Sequence, residues 1–509
     1  MHAQTIYDVV IVGLGPAGTL ISLLLSKYDL KILCLDKDKE IFRLPRAITI
    51  DDEGLRTMQK LNLDHIYTAN STQAEGAYFL DNKLQTLSGV KFPKNFITKH
   101  GWHPASMFHQ PFTDKLLREE LIKSKSEIKL GHELINLNQK DEIYCLEVMN
   151  LTSGKSQELK TTYVIGADGA SSKVRKLKDI KQEDLDYDKE WLVVDIELLR
   201  KNDELPKYAA QICDPKRLST YIPAHLPFRR WEFILLDGER NEDIEKEEVI
   251  HKLIQPWLEP EEYKIIRSAV YRFHSLISQK FHSENCFLIG DAAHQNPPFM
   301  GQGMMSGYRD ALNLSWKLGS VIEGILPAKV LNSYEEERLP HSKFVVKGSA
   351  AIGKLMSAYS DAIKKGNLSS VPEKLVQKGY GSYSLPPLNS GLLFQGRHNP
   401  LNLSGEHFPQ IIKVKEDCLE KQDALLGDHF SLVSKDELIL DQEDKEFLLS
   451  IRTNMVNLED WMIEDNNWIA RIAEKNNIFL VRPDKIIFGS ASNDQELKEV
   501  IRDLKNRLI

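Results

Sequence analysis

The chain has 509 residues, 42% hydrophobic and 28% charged, with a formal net charge of −8. That length exceeds a single compact core and calls for two or three domains. The acidic balance argues against nucleic acid as a partner, because phosphate binding needs a concentrated basic surface. Five scattered cysteines (Cys34, Cys145, Cys213, Cys286, Cys418) form no Cys-x-x-Cys pair, so neither a disulfide framework nor a metal site is expected.

The first residues, "MHAQTIYDVVIVGLG", carry no basic segment before the first apolar run. That run, Ile11 to Leu25, is broken by Gly13, Gly15, Pro16 and Gly18, so it reads as strand–turn–helix rather than a membrane span. A cytoplasmic protein without stable membrane insertion is expected. From Tyr7 to Asp36 the pattern is one βαβ unit, which implies a parallel sheet. Within it, "GLGPAG" gives a tight turn at Gly13, close backbone approach at Gly15 and close helix–strand packing at Gly18. Asp36 ends the second strand, where a carboxylate can accept ribose hydroxyls. A dinucleotide site follows from this arrangement, with Ala17 and Lys37 beside its key residues.

Downstream, "RLPRAITIDDEGLR" places Asp51 and Asp52 where a helix begins, and Asp is a favoured N-cap. Gln110 opens a helix with Leu116, Leu117, Leu121 and Ile122 on one side. A second strand run ends in "GADGASSKVR", with Asp168 and Gly169 at its tip; taken alone this is a common Asp-Gly turn. Residues 186–279 alternate and are rich in aromatics, which suggests an antiparallel sheet. The segment "LIGDAAHQNPPFMGQGMMSGYRDALNLSWKL" then sets Gly290, Asp291, His294, Pro298, Gly301, Gly303 and Met304 before a long amphipathic helix. Such a start exposes backbone N–H groups that favour negative charge. Residues from about 360 to 388 read as a helix end and linker, and the final stretch alternates strands with polar helices.

Together these three motifs resemble the dinucleotide, "DG" and "GD" motifs of the FAD-dependent aromatic hydroxylases. The stretches "RLPRAITIDDEGLR", "WLVVDIE", "CDPKRLSTYIP" and "RRWEFILLDGE" are similar to the 3-(3-hydroxyphenyl)propionate hydroxylase branch. The resemblance implies an α/β fold: a Rossmann-like FAD-binding domain of the p-hydroxybenzoate hydroxylase type, an antiparallel substrate domain and a C-terminal thioredoxin-like domain. Expected boundaries are 1–70, 105–185 and 280–350 for FAD, 71–104 and 186–279 for substrate, 351–388 for helix and linker, and 389–509 for a tail lacking Cys-x-x-Cys. It also implies a monooxygenase in which NADH or NADPH reduces FAD, O2 adds at flavin C4a, and oxygen passes to a phenolic ring. The alternatives are a polycyclic or antibiotic substrate, or a flavoprotein that does not oxygenate. A homodimer is a further expectation.

By the same resemblance, Arg46 and Gln110 reach the FAD, and Asp51 contacts the phenol, a role compatible with capping its helix. Tyr221 is a candidate phenol contact or a packing residue. Arg217 is a candidate partner for a substrate carboxylate, and Pro298 lines the substrate. His294 is either a proton shuttle or a packed histidine. Met300, Met304 and Met305 read as adaptable lining.

Overall fold

The computed structural model describes residues 5–94, 96–378, 385–396, 403–410, 412–415, 418–421, 423–457 and 477–509. The βαβ unit seeds a sheet running, from one edge, through His282–Ser283, Cys286–Leu288, Ser156–Gly166, Ile6–Val12, Ile32–Asp36 and Glu127–Leu130. Along this path every pair is parallel except the edge hairpin of His282–Ser283 with Cys286–Leu288, and His132–Lys140 and Ile143–Asn150 add antiparallel pairs beside Ser156–Gly166. Val9, Val10, Ile11, Leu33, Val164 and Ile165 are wholly buried, as strands covered on both faces must be. Helix Pro16–Leu25 starts with proline at its first turn, where the missing N–H costs nothing. It crosses helix Gly303–Ile322 closely. A Cβ on Gly307 would stand 3.0 Å from the Ala17 Cβ and 3.2 Å from the Gly290 Cα. Glycine at 307 thus lets the first and third motifs meet more tightly than a side chain would allow without a shift of its neighbours.

The second sheet runs in the order His294–Gln295, Tyr263–Ser278, Gln182–Leu198, Phe228–Ile234, Ser219–Ile222, Ala209–Ile212, Gly76–Leu80 and Thr86–Lys91. It is antiparallel except for Ala209–Ile212, which runs parallel to Gly76–Leu80. Its edge pairs Leu276 with Gln295 and Ile277 with His294, so the third motif is stitched to this sheet. Both faces are covered. One carries Leu192, Val194, Tyr221, Trp231 and Phe233 against Ile250 and Ile254 of helix Glu247–Ile254. The other turns Phe79 and Trp191 toward Phe299 of the third motif and toward helix Asn332–Lys364. That helix runs unbroken through residue 350, where a boundary was expected, so the cofactor domain and the following segment share one rod. Residues 379–384 of the expected linker and the side chain of Cys418 lie outside the described residues.

The C-terminal sheet has the order Asn454–Asn457, Ser431–Ser434, Ile478–Val481, Ile487–Ala491, with the first pair parallel and the others antiparallel. This is the strand order of a thioredoxin-like unit. Buried ion pairs dock it to the rest. Arg56 grips Asp423 through Nε and Nη2 at 2.6 and 2.8 Å and donates Nη1 to the Phe408 carbonyl at 2.7 Å. Arg482 holds Glu337 of helix Asn332–Lys364 at 2.7 and 2.9 Å. Among the described residues, no helix is long and apolar enough to cross a membrane.

Truncating one partner of a buried pair strands the other charge. Arg56→Ala is therefore expected to cost about 3–5 kcal/mol, read as a lower denaturant midpoint. An unchanged midpoint would show that the tail docks without this pair.

Candidate cofactor and substrate site

Three glycines at the ends of the motifs open onto empty space. Cβ atoms built on Gly15, Gly169 and Gly303 meet nothing within 4 Å, whereas one on Gly13 would strike the Ala167 carbonyl at 2.4 Å and the Asp168 Cα at 2.8 Å. Gly13, Gly169, Gly290 and Gly301 all have positive φ, which favours glycine. Gly15 is the N-cap of Pro16–Leu25, and Gly303 opens the long helix after Pro298–Met300. Asp291 has an exposed side chain yet is ringed by protein, as a residue lining a cleft would be; desolvation pushes its carboxyl up, while His294 and Arg46 oppose it. Arg46 is exposed, stacks on Phe42 at 4.4 Å and has no carboxylate partner among the described residues. This cradle fits FAD: open glycines and helix starts suit the pyrophosphate, and Asp291 and Arg46 border the same cleft. Met304 is half-buried on the first turn of the long helix, and Lys37 is exposed.

Several expected cofactor residues prove to be braces. The Asp36 carboxylate accepts the backbone N–H groups of Leu14 (2.8 Å) and Asp38 (2.9 Å), leaving further lone pairs toward the cleft. Asp168 is turned onto the helix that follows it, accepting from the Ser172 hydroxyl and the Lys173 and Val174 N–H groups. Arg175 ties the second motif to the third by donating to the Ala170 and Ala292 carbonyls at 2.8 and 2.9 Å. The Gln110 Oε1 accepts the N–H groups of Arg46 (2.8 Å) and Ala47 (2.6 Å), so it holds the Arg46 loop in place. Arg118, which the sequence reading missed, donates to the Leu14 carbonyl at 2.6 Å from about two turns further along Gln110–Ile122.

The three catalytic candidates do not converge. The His294 side chain is fully buried and its Nε2 lies 2.7 Å from Asp310 Oδ2, so it is a packed histidine with no access to a reacting atom. Asp310 also accepts the Gly290 N–H (3.0 Å) and Arg338 Nε (2.9 Å). Tyr221 lies on the sheet face away from the third motif, stacked with Trp257 at 5.3 Å, its hydroxyl spent on the Pro206 carbonyl at 2.9 Å. Asp51 is 6% exposed. Its Oδ1 caps helix Asp52–Lys60 through the Gly54 N–H, and its Oδ2 accepts Arg309 (2.6 Å) and Gln302 (3.2 Å). It therefore caps one helix and positions the start of the long helix, with both oxygens already accepting from protein donors.

The cations of the second sheet are likewise committed. Arg217 is bidentate to Glu239 and donates to the Ile234 carbonyl, so it is not available to a substrate carboxylate. Arg229 donates to carbonyls, among them that of Phe228 at 2.6 Å. Arg230 and Arg267 share Asp195 and both reach the Pro45 carbonyl. On the face that looks toward Phe299, one buried acid was not singled out from sequence. Glu232 follows Arg230 on the same strand, and the period-2 spacing of "RRWEFI" already places Arg230, Glu232 and Ile234 on one side.

The FAD binding domain family matches residues 6–349. A probable NADH-specific resorcinol 4-hydroxylase of Rhodococcus jostii is 28% identical over 98% of this chain and 94% of its own length. A 3-(3-hydroxy-phenyl)propionate/3-hydroxycinnamic acid hydroxylase of Burkholderia cenocepacia is 33% identical over 69% of this chain, which spans 64% of that relative. Aklavinone-11 hydroxylase, solved with FAD and aklavinone, superposes with a TM-score of 0.81 at 19% identity, covering 99% of this chain and all of that one.

Gly15→Val is expected to fold normally, since its side chain enters open space, but to lose FAD because that space is the pyrophosphate's; stoichiometric flavin in the purified variant would contradict the assignment. A second expectation concerns acid. Burial pushes Asp310 up, but His294 and Arg338 outweigh it and hold its carboxyl at about 2. Its contribution to stability is therefore complete above the ordinary carboxyl value of about 4 and lost as pH falls toward 2. Asp310→Asn is expected to be less stable at neutral pH and to show a weaker dependence through that window, measured by unfolding at each pH.

Proposed function

The chain belongs to the FAD-dependent aromatic hydroxylases that share this FAD binding domain, and we propose that its substrate is a neutral phenol, a ring bearing hydroxyls but no carboxylate side chain. One observation carries this reading. On the substrate sheet Arg217, Arg229, Arg230 and Arg267 all donate to protein groups, and on the cofactor-facing side the carboxyl oxygen left without a hydrogen-bond partner among the described residues is Glu232 Oε2, with the Arg267 Nε also unpartnered. A second acid on a face where Arg230 and Arg267 already share Asp195 disfavours a substrate carboxylate. The Rhodococcus relative, named for resorcinol, matches almost the whole chain, which supports the same class and supports NADH as reductant.

FAD, when bound, supplies the reduction by nicotinamide and the activation of O2. The protein's own groups do the rest. The glycine turns and helix starts hold the pyrophosphate. Asp51, Gln302 and Arg309 fix the first turn of the long helix. Phe79, Trp191 and Phe299 enclose the ring's side of the cleft with apolar surface, which excludes water. Reduced nicotinamide as co-substrate and buried free thiols at Cys34, Cys213 and Cys286 suit the cytoplasm.

NADH oxidation with product analysis tests the reading. Resorcinol and other neutral phenols are expected to give hydroxylated product with kcat/KM at least tenfold above that of 3-(3-hydroxyphenyl)propionate, about 1.4 kcal/mol of discrimination. Preference for the carboxylated ring would overturn it.

A further inference from the structure

The face of the second sheet that looks toward the third motif carries one row read directly from strand register. Phe79 pairs with Gln211, Gln211 with Thr220, Thr220 with Glu232, Glu232 with Val193 and Val193 with Ala269. Directly paired residues point to the same side. Phe79 packs in the cluster that contains Trp191 and Phe299, so the whole row shares that side. Tyr221 and Trp231, one residue out of step, point to the opposite face. Glu232 thus stands mid-row, facing the loop that opens the long helix.

Its surroundings leave it unanswered. Glu232 is 1% exposed, and its Oε2 is enclosed with no hydrogen-bond partner among the described residues. The neighbours that might have met it are turned elsewhere. The Thr220 hydroxyl donates to Gln211 Oε1 at 2.8 Å. Arg230 spends Nε and Nη2 on Asp195 at 2.7 and 3.0 Å, and Nη1 and Nη2 also donate to the Arg46 and Pro45 carbonyls at 2.9 and 2.5 Å. Arg267 gives Nη1 to Asp195 and to the Pro45 carbonyl, and its buried Nε, like Glu232 Oε2, has no hydrogen-bond partner among the described residues. Two arginines therefore converge on one aspartate while an adjacent carboxyl has none. A buried polar group without a partner costs about 1–3 kcal/mol, so stability does not explain a glutamate here. A ligand that donates a hydrogen bond does.

We propose that Glu232 is a catalytic residue of this enzyme, meeting the substrate's ring hydroxyl, first as hydrogen-bond acceptor and then as the base that takes its proton. This rests on the reading of a neutral phenol as substrate. The phenolic O–H bond breaks, the proton moves to a Glu232 carboxylate oxygen, and the electron pair stays on the ring oxygen, where it enriches the ring toward electrophilic oxygen. The proton returns to the ring oxygen once the product forms, so the carboxylate is regenerated and no further reactant is needed. The groups that face this carboxyl are Arg230, Asp195, Arg267 and Tyr187. Desolvation raises it to about 7; Arg230 and Arg267 oppose that rise, and Asp195 adds to it. Such a value suits a base working near neutrality. Because the ionised form is the active one, kcat/KM is expected to rise with pH through about 7.

The test compares FAD-loaded wild type, Glu232→Gln and Glu232→Asp with resorcinol from acid to alkaline pH. Flavin content, thermal midpoint and resorcinol binding (read from the perturbed flavin absorbance) are followed in parallel. Glu232→Gln is expected to keep its flavin and thermal midpoint, to bind resorcinol more weakly, to lose at least about 100-fold in kcat/KM, and to lose the rise through about pH 7. Glu232→Asp is expected to retain that rise at lower kcat/KM. Wild-type turnover and an unshifted pH profile in Glu232→Gln would overturn the proposal and leave the substrate reading intact. Joint loss of flavin and midpoint in Glu232→Gln would assign a structural role and overturn it too. A wild type active only on carboxylated phenols would overturn the substrate reading, and the role of Glu232 with it.

Discussion

Asp310 holds the site together. Its carboxylate has no exposure and accepts from three elements at once: the Gly290 N–H, the His294 ring and the Arg338 guanidinium. Burial alone would favour the neutral acid. The converging donors win, and the carboxyl is held at about 2. One buried charge thus pins the loop of the third motif to the long helix behind it and to helix Asn332–Lys364. The tight contact of Gly307 with Ala17 and Gly290 then brings the first motif against the same point. An open cradle needs rigid walls, because its cofactor must find the N–H groups already aimed.

The second sheet shows the same electrostatics with a different outcome. Asp195 has two arginines, and those arginines reach across to the Pro45 and Arg46 carbonyls, so the pair also fixes the loop that presents Arg46 to the cleft. Glu232, two residues from Arg230, has none. Asp310 is fully satisfied and structural; Glu232 is equally deep and unsatisfied. A deep carboxyl without a donor calls for an explanation, and the donor proposed for Glu232 is the substrate's ring hydroxyl.

What the sequence made legible follows from how local each constraint is. Gly13, Gly15 and Gly18 act within one turn, and their spacing, read with the flanking strand and helix and with Asp36, made the dinucleotide site legible. The helix cap at Asp51 was legible for the same reason. Its ion pair with Arg309, 258 residues away, was not. Arg217 looked available because Glu239 lies 22 residues on, across a turn. Tyr221 and Glu232 were harder, for a different reason. Alternation separates a buried face from a wet one, but this sheet is covered on both sides, with Trp231 at 0% and Glu232 at 1% exposure. Period-2 spacing told which residues share a face without telling which face meets the cofactor. The tyrosine, the more familiar phenol partner, belongs to the face packed on helix Glu247–Ile254.

The most direct measurement is a crystal structure of the FAD-loaded protein with resorcinol bound. The expected result is a ring between the flavin and the second sheet, with one hydroxyl within hydrogen-bond distance of Glu232 and no arginine on the ring. A ring hydroxyl held elsewhere, with Glu232 still unpartnered, would contradict it.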